Sequence, residues 1–164
     1  MSTNPGHGPG MPGMGPVQRT ASRKFLTNVV HEVKRGAKID ADSVDDGNTD
    51  VHPTVDGGTG KTTTLRAGLV VVQVPTGPNA GKYVPKGHAD CPDDGDIEAA
   101  GIVMGYVTML DANDDPADQP AELLIHGFVR ESLVLFGETA DAGFIAAVKD
   151  VLPLIMWEAD VPQP

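Results

Sequence analysis

Short runs of apolar and β-branched residues, separated by turn-forming residues, dominate the chain from Leu65 onward. Residues 69–74 (LVVVQV) predict a buried strand, and the Gly- and Pro-rich residues 75–81 predict a turn into a short strand at residues 82–84. Residues 97–110 predict one long strand or two, because glycines interrupt the run. This pattern is typical of a mainly β domain.

The C-terminal part of the chain adds further strands and a helix to this pattern. Residues 121–135 predict one or two strands. Thr139 can cap a helix whose apolar residues share one face, and Pro153 ends it. Residues 154–157 predict a final strand. We therefore expect residues 62–164 to form a compact β-sandwich or barrel-like domain, mainly β with one or two short helices.

The N-terminal part of the chain differs in both texture and charge. Residues 1–16 contain nine Gly or Pro and no charge, which predicts a disordered tail. Residues 17–39 carry six basic side chains against one acidic side chain, whereas residues 40–164 carry a net charge of −16. Apolar residues recur there with helical spacing, at Phe25, Leu26, Val29, Val30 and Val33. We expect a basic amphipathic helix, followed by an acidic linker, within an N-terminal arm of residues 17–61.

This helix has two possible docking places, and the sequence does not choose between them. It can pack on the acidic body of its own chain, or it can dock on another subunit.

Composition excludes several function classes. The chain has 164 residues and a net charge of −11, which disfavours binding to nucleic acid or to anionic membrane surfaces. Aromatic residues make up only 4% of the chain, too few for a base-stacking platform. Cys91 is the single cysteine, so no intrachain disulfide is expected. Neither a membrane-spanning run nor a secretory signal is expected.

One segment resembles a phosphate-binding loop. Residues 55–62 read VDGGTGKT, but Val55 stands where that motif requires its first glycine. The residues before it do not predict a strand, and Thr62, Thr63 and Thr64 are poor helix initiators. We interpret the segment as a linker, and a small nucleotide-binding enzyme remains an alternative.

Two acidic loops resemble metal sites only in part. In residues 111–122, oxygen ligands fall at positions 1, 3, 5 and 12 of a calcium loop, but Pro116 stands where glycine is required. In a second loop, His88 and Cys91 lie among several aspartates, and two such ligands do not complete a transition-metal site. We expect no metal, no cofactor and no catalytic residue, and therefore no enzyme.

The order of motifs from residue 65 resembles a known family. The segments are Leu65-Arg66-Ala67-Gly68, Gly81-Lys82-Tyr83-Val84-Pro85, Ala99-Ala100-Gly101-Ile102-Val103 and Phe128-Val129-Arg130. Their texture and order over residues 62–157 resemble the head decoration (capsid cement) proteins of tailed bacteriophages, of the lambda decoration-protein type.

The resemblance implies a β-tulip-type domain that forms a homotrimer on the outer surface of the virion. Such a protein stabilises the expanded viral head and is assembled in the host cytoplasm. Family members pair with the major capsid protein through their N-terminal segment. Here the expected contact residues are Arg19, Arg23, Lys24, Phe25, Leu26, Val29, Val30 and Val33. A β-rich surface-binding module remains a further alternative.

Overall fold

A computed structural model describes residues 25–43, 64–113, 115–137 and 140–159. The described part is mainly β, as the sequence predicts, with one α-helix and three short 3-10 turns. The strands are β1 Leu26–Ile39, β2 Thr64–Leu65, β3 Val70–Gln73, β4 Tyr83–Pro85, β5 Ala100–Val103, β6 Val107–Thr108, β7 Gln119–Arg130 and β8 Ile155–Glu158. The helix is α1 Ala142–Val151, and the 3-10 turns are Ala41–Ser43, Asp94–Asp96 and Glu131–Leu133.

Five strands form a ladder that closes on itself. The order β1-β4-β3-β5-β7 returns to β1, because β7 also pairs antiparallel with β1 from Leu26↔Val129 to Ile39↔Gln119. The closing pair between β1 and β4 is Ile39↔Tyr83, and the Asp40 amide donates to the Tyr83 carbonyl at 3.1 Å. The result is barrel-like, and β8 extends it by pairing parallel to β7.

Each of the five ladder strands contributes to one buried cluster. Ile39, Val71, Tyr83, Val103 and Leu123 come one from each strand, and all are at most 3% exposed. Side chains from the separate β2–β6 pair and from the residue after β6 complete this cluster. It occupies the inside of the closed ladder, since alternate residues of a strand face opposite sides.

The opposite face of the same strands is also buried, because the helix covers it. Val70, Val72 and Leu124 pack with Phe144 and Val148 of α1 in a second cluster. The Asp141 side chain caps the helix by accepting from the Phe144 amide at 2.9 Å. The helix therefore begins one residue after Asp141, and the prediction that Thr139 caps it is wrong.

The basic segment forms a strand, so the predicted amphipathic helix is wrong. Residues 33–39 pair with β7, and Leu26 and Asn28 pair with its far end after an irregular stretch. Phe25 is 2% exposed within the outer cluster. β-branched residues favour this extended conformation, and β7 would lack a partner on that side without it. The apolar residues between positions 25 and 33 do recur with helical spacing, but this stretch covers only the first part of the 14-residue strand β1.

This strand also corrects the predicted domain boundary. Residues 25–43 belong to the barrel rather than to a separate arm, so the body does not begin at residue 62. The predicted tail of residues 1–16 and most of the predicted linker lie outside the described residues. The predicted strands around residues 69–74, 82–84 and 154–157 are confirmed.

Candidate interaction surface

A three-stranded ribbon extends beyond the closed ladder. It consists of residues 26–33 of β1, residues 126–130 of β7, and β8. Earlier in β7, residues 123 and 124 pair with β5, so β8 takes the place of β5 at this end. One face of the ribbon packs on the outer cluster through Val129 and Ile155, so this part of the sheet is anchored to the body.

The other face of the ribbon is partly apolar and exposed. Val33 pairs with His126, and Phe128 pairs with Met156, so these four side chains share the face opposite Val129. Val33 is 47% exposed and Met156 is 56% exposed, while His126 and Phe128 are half-buried. Exposed apolar residues gathered on one sheet face are typical of an association surface.

The ribbon also has two open edges. Along residues 26–38 the outer edge of β1 pairs with no other described strand, and the outer edge of β8 has no described neighbour. Leu154, directly before β8, is 60% exposed. Open edges present unpaired backbone donors and acceptors, which makes them docking places for another strand.

The sequence does not predict that Met156 and Leu154 are exposed. Residues 154–157 were predicted as a strand, but four apolar residues in succession do not show which two face the core. In the structure Ile155 is 3% exposed and Trp157 stacks on Phe136 with ring centroids 5.7 Å apart. Packing against α1 and Phe136 thus determines that Ile155 and Trp157 lie on the inward face of β8 and Met156 on the exposed face.

The predicted contact residues divide into three groups. Arg19, Arg23 and Lys24 lie outside the described residues, as do the side chains of Val29 and Val30. Phe25 is buried in the core and Leu26 is half-buried, so the structure assigns Phe25 to packing rather than to contact with a partner. Val33 alone of the predicted set is described as exposed.

Two of the basic residues in the segment 17–39 bind acidic groups of the same chain. Lys34 lies 3.1 Å from the Glu32 carboxylate and 3.5 Å from that of Glu122. Lys38 lies 2.7 Å from the Asp118 carboxylate. Of the two docking places left open by the sequence, this strand therefore uses its own body.

A charged network lies where β1, β4 and β7 meet. The Lys82 ammonium group contacts the buried Asp40 carboxylate at 2.5 Å and the Asp118 carboxylate at 3.0 Å. The Ala41 amide donates to Asp118 at 2.9 Å. Lys38 first, and then Lys82 and this amide, hold the pKa of Asp118 well below its usual range. Hydrogen bonds to Asp40 and then Asp118 raise the pKa of Lys82.

His88 is attached to this network rather than to a metal-like cluster. Its Nδ1 atom accepts from the Asp90 amide at 3.0 Å, and its Nε2 atom lies 3.3 Å from Asp40 without an aligned hydrogen bond. Because Asp40 and His88 are brought together across 48 positions of sequence, no local motif could have indicated the pair.

The calcium-like loop uses its first carboxylate to fold itself. The Asp111 carboxylate accepts from the Asn113 amide at 2.7 Å and from the Asp115 amide at 3.1 Å. These two bonds lower the pKa of Asp111. Glu122, the predicted twelfth ligand, lies within β7 and faces Lys34. The structure thus gives these residues turn-forming and ion-pairing roles.

The second acidic loop borders an open cleft of about 600 Å³. Its walls include Val74, Pro75, Cys91, Asp96 and Glu98. Burial raises the pKa of the Cys91 thiol, which keeps the thiol protonated and weakly nucleophilic. Within the described residues, no group of three or more His, Cys, Asp or Glu side chains is placed to hold a metal ion.

Two further features of the chain bear on the excluded classes. The phosphate-loop-like residues 55–62 lie outside the described residues, so their interpretation as a linker stays a prediction. No helix in the described part is both long enough and apolar enough to cross a membrane.

Comparison with protein-family models, curated proteins and solved structures finds no match to this chain.

Proposed function

We propose that the chain is a structural virion protein, a capsid decoration protein that binds the outside of the expanded phage head as a homotrimer. In this role it makes no chemical conversion. It binds the expanded shell more tightly than the immature shell, so that mass action stabilises the expanded state.

The observation that carries this proposal is the exposed, partly apolar ribbon face with Val33, Phe128 and Met156. Such a surface supports a protein that works by association with other proteins. The choice of a viral head as partner rests on the resemblance of the motif order. The quoted segments at residues 81–85 and 99–103 correspond to β4 and β5, which flank β3 in the ladder.

The barrel's polar residues also favour a structural role. Lys82 binds both Asp40 and Asp118 at the junction of three strands, and Asp111 folds its own loop. These groups already serve the fold, and each would have to leave a partner before it could serve a reaction.

We assign contact with the major capsid protein to the cationic residues before Phe25. Arg19, Arg23 and Lys24 precede the point where the chain enters the barrel, and the Phe25 carbonyl accepts from the Arg130 amide at 2.7 Å. Three such segments on one trimer would bind together, because the first contact raises the effective concentration of the others.

Co-sedimentation with expanded, undecorated heads of the virus that encodes the chain tests this proposal. The full chain should pellet with expanded heads and bind immature heads less tightly. A chain lacking residues 1–24 keeps every strand of the described residues and should bind expanded heads poorly. Replacing Arg19, Arg23 and Lys24 by Ala should mainly slow association and reduce its salt dependence. Full-strength binding by the shortened chain would contradict the assignment of this contact.

A further inference from the structure

The two open edges of the ribbon carry different side chains. The β8 edge presents Leu154 and Met156, which are 60% and 56% exposed, and ends at the exposed Glu158. The β1 edge presents Val33, 47% exposed, followed by the exposed Arg35. One edge is therefore apolar with an anionic end, and the other combines an apolar residue with a cation.

We propose that β8 of one copy pairs with the outer edge of β1 in a second copy of this chain. The interface would continue the ribbon from one copy into the next and satisfy the backbone groups on both edges. It would also cover Met156 of one copy and Val33 of the next. This inference deepens the proposed function and rests on it only for the expectation of a homotrimer.

Charge favours pairing between unlike edges. Arg35 forms no ion pair with another described residue, whereas Lys34 and Lys38 are paired within the chain. An approaching β8 edge brings the Glu158 carboxylate toward this cation. Pairing β8 with β8 would offer Glu158 no cation on the facing β8 edge, in a chain whose net charge is already −11.

The geometry of unlike edges determines the kind of assembly. Because one copy offers β8 and the next offers β1, the contact is head-to-tail. An open row of copies therefore always has one unpaired β8 edge and one unpaired β1 edge at its ends. Such contacts close into a ring when the rotation between copies allows it. A ring of three would satisfy all edges and would agree with the trimer expected from the family resemblance.

Light scattering of the full chain over a range of concentrations, without viral heads, tests the pairing. Met156→Lys places a charge in the interface, but leaves the fold intact because the side chain is exposed. We expect it to raise the dissociation constant by about tenfold or more, which corresponds to about 1.4 kcal/mol. The matched control is Tyr106→Lys, at a residue that is 51% exposed and lies between β5 and β6, outside the ribbon.

A charge exchange tests which edges meet. Arg35→Glu should weaken the assembly, since it brings two acidic groups together, and Glu158→Arg should weaken it in the same way. The double variant restores an opposite pair and should recover the assembly. Recovery would not occur if the two residues lay in separate places, because each single loss would then persist in the double variant.

The outcomes separate this inference from the proposed function. A wild-type chain that stays monomeric overturns the edge pairing. Equal assembly strength in the Met156→Lys and Tyr106→Lys variants also overturns it. A charge exchange without recovery also overturns it. An assembly that depends on Met156 but does not bind expanded heads supports the pairing and contradicts the virion role.

Discussion

At the scale of single residues, the closed ladder is held at its weakest point by charge. β1 and β4 share a single residue pair, Ile39↔Tyr83, and the Asp40 amide extends that contact by one bond. Lys82 then links the carboxylates of Asp40 and Asp118 across the same junction. A carboxylate that accepts from two ammonium groups and an amide contributes most while it is ionised.

This junction should give stability a defined dependence on pH. Because the pKa of Asp118 is lowered in the folded chain, its contribution is present above the ordinary value of 3.8 and is lost as the pH falls further. Asp118→Asn should lower the free energy of unfolding by about 1 kcal/mol at neutral pH, a value at the upper end for partly exposed ion pairs. Urea unfolding of both chains at pH 7 and pH 3 checks this, and a difference that grows toward acid would contradict it.

A second residue-scale prediction concerns packing inside the ladder. A Cβ atom on Gly101 would lie 2.7 Å from the Cβ atom of Leu123, so a side chain there forces the strands to shift. Gly101→Ala should destabilise the chain by about 1–3 kcal/mol, as overpacking does. Gly105→Ala is the matched control, since nothing lies within 4 Å of its Cβ position. Thermal melting that ranks the two variants equally would show that this close approach is not important.

At the scale of elements, β1 is the strand on which the barrel depends. It pairs with β7 over Leu26↔Val129 to Ile39↔Gln119 and also makes the closing contact with β4. Its side chain Ile39 lies in the inner cluster. The strand therefore has a structural role at both ends of its pairing with β7, although it lies in the most basic part of the chain.

Two truncations separate the strand from the segment before it. Removal of residues 1–24 should leave the circular dichroism spectrum of a folded β protein and a cooperative melt. Removal of residues 1–39 should abolish the cooperative melt, because β7 loses its long partner and the ladder opens. A folded chain without residues 1–39 would show that β1 is an accessory strand. Because the chain lacking residues 1–24 is expected to stay folded, it is the suitable variant for the co-sedimentation experiment.

At the scale of the whole molecule, the charge distribution limits the ways in which copies of the chain can associate. The chain carries a net charge of −11, and its cations are concentrated in the first 38 residues. Copies repel one another in general, and the proposed edge pairing would offset this repulsion by bringing Glu158 of one copy toward Arg35 of another. The two open edges of the ribbon offer such a contact.

Assembly should make the melting temperature depend on protein concentration. If folded copies associate through the ribbon and unfolded chains do not, raising the concentration about a hundredfold should raise the melting temperature by several degrees. Met156→Lys should remove most of this dependence. Calorimetry at low and high concentration measures both effects, and a melting temperature that is the same at all concentrations would contradict association of the folded state.

Local sequence patterns are sufficient to predict the β class, the turn at residues 75–81, the strands at residues 69–74 and 82–84, and the helix near the C-terminus. These features depend on local patterns of β-branched residues, turn formers and helical spacing, which act over a few neighbouring positions. The same local reasoning placed a helix on residues 25–33, because five apolar residues there recur with helical spacing, although residues 26–33 form the start of β1.

The formation of β1 by this segment depends on long-range pairing, because its partner β7 lies about ninety residues further along the chain. The junction of Asp40, Lys82 and Asp118 is likewise assembled from three distant segments. The exposed face at Met156 depends on which side of β8 the helix covers. Long-range pairing and the choice of the buried face are properties of the closed ladder, and no short window of sequence contains them.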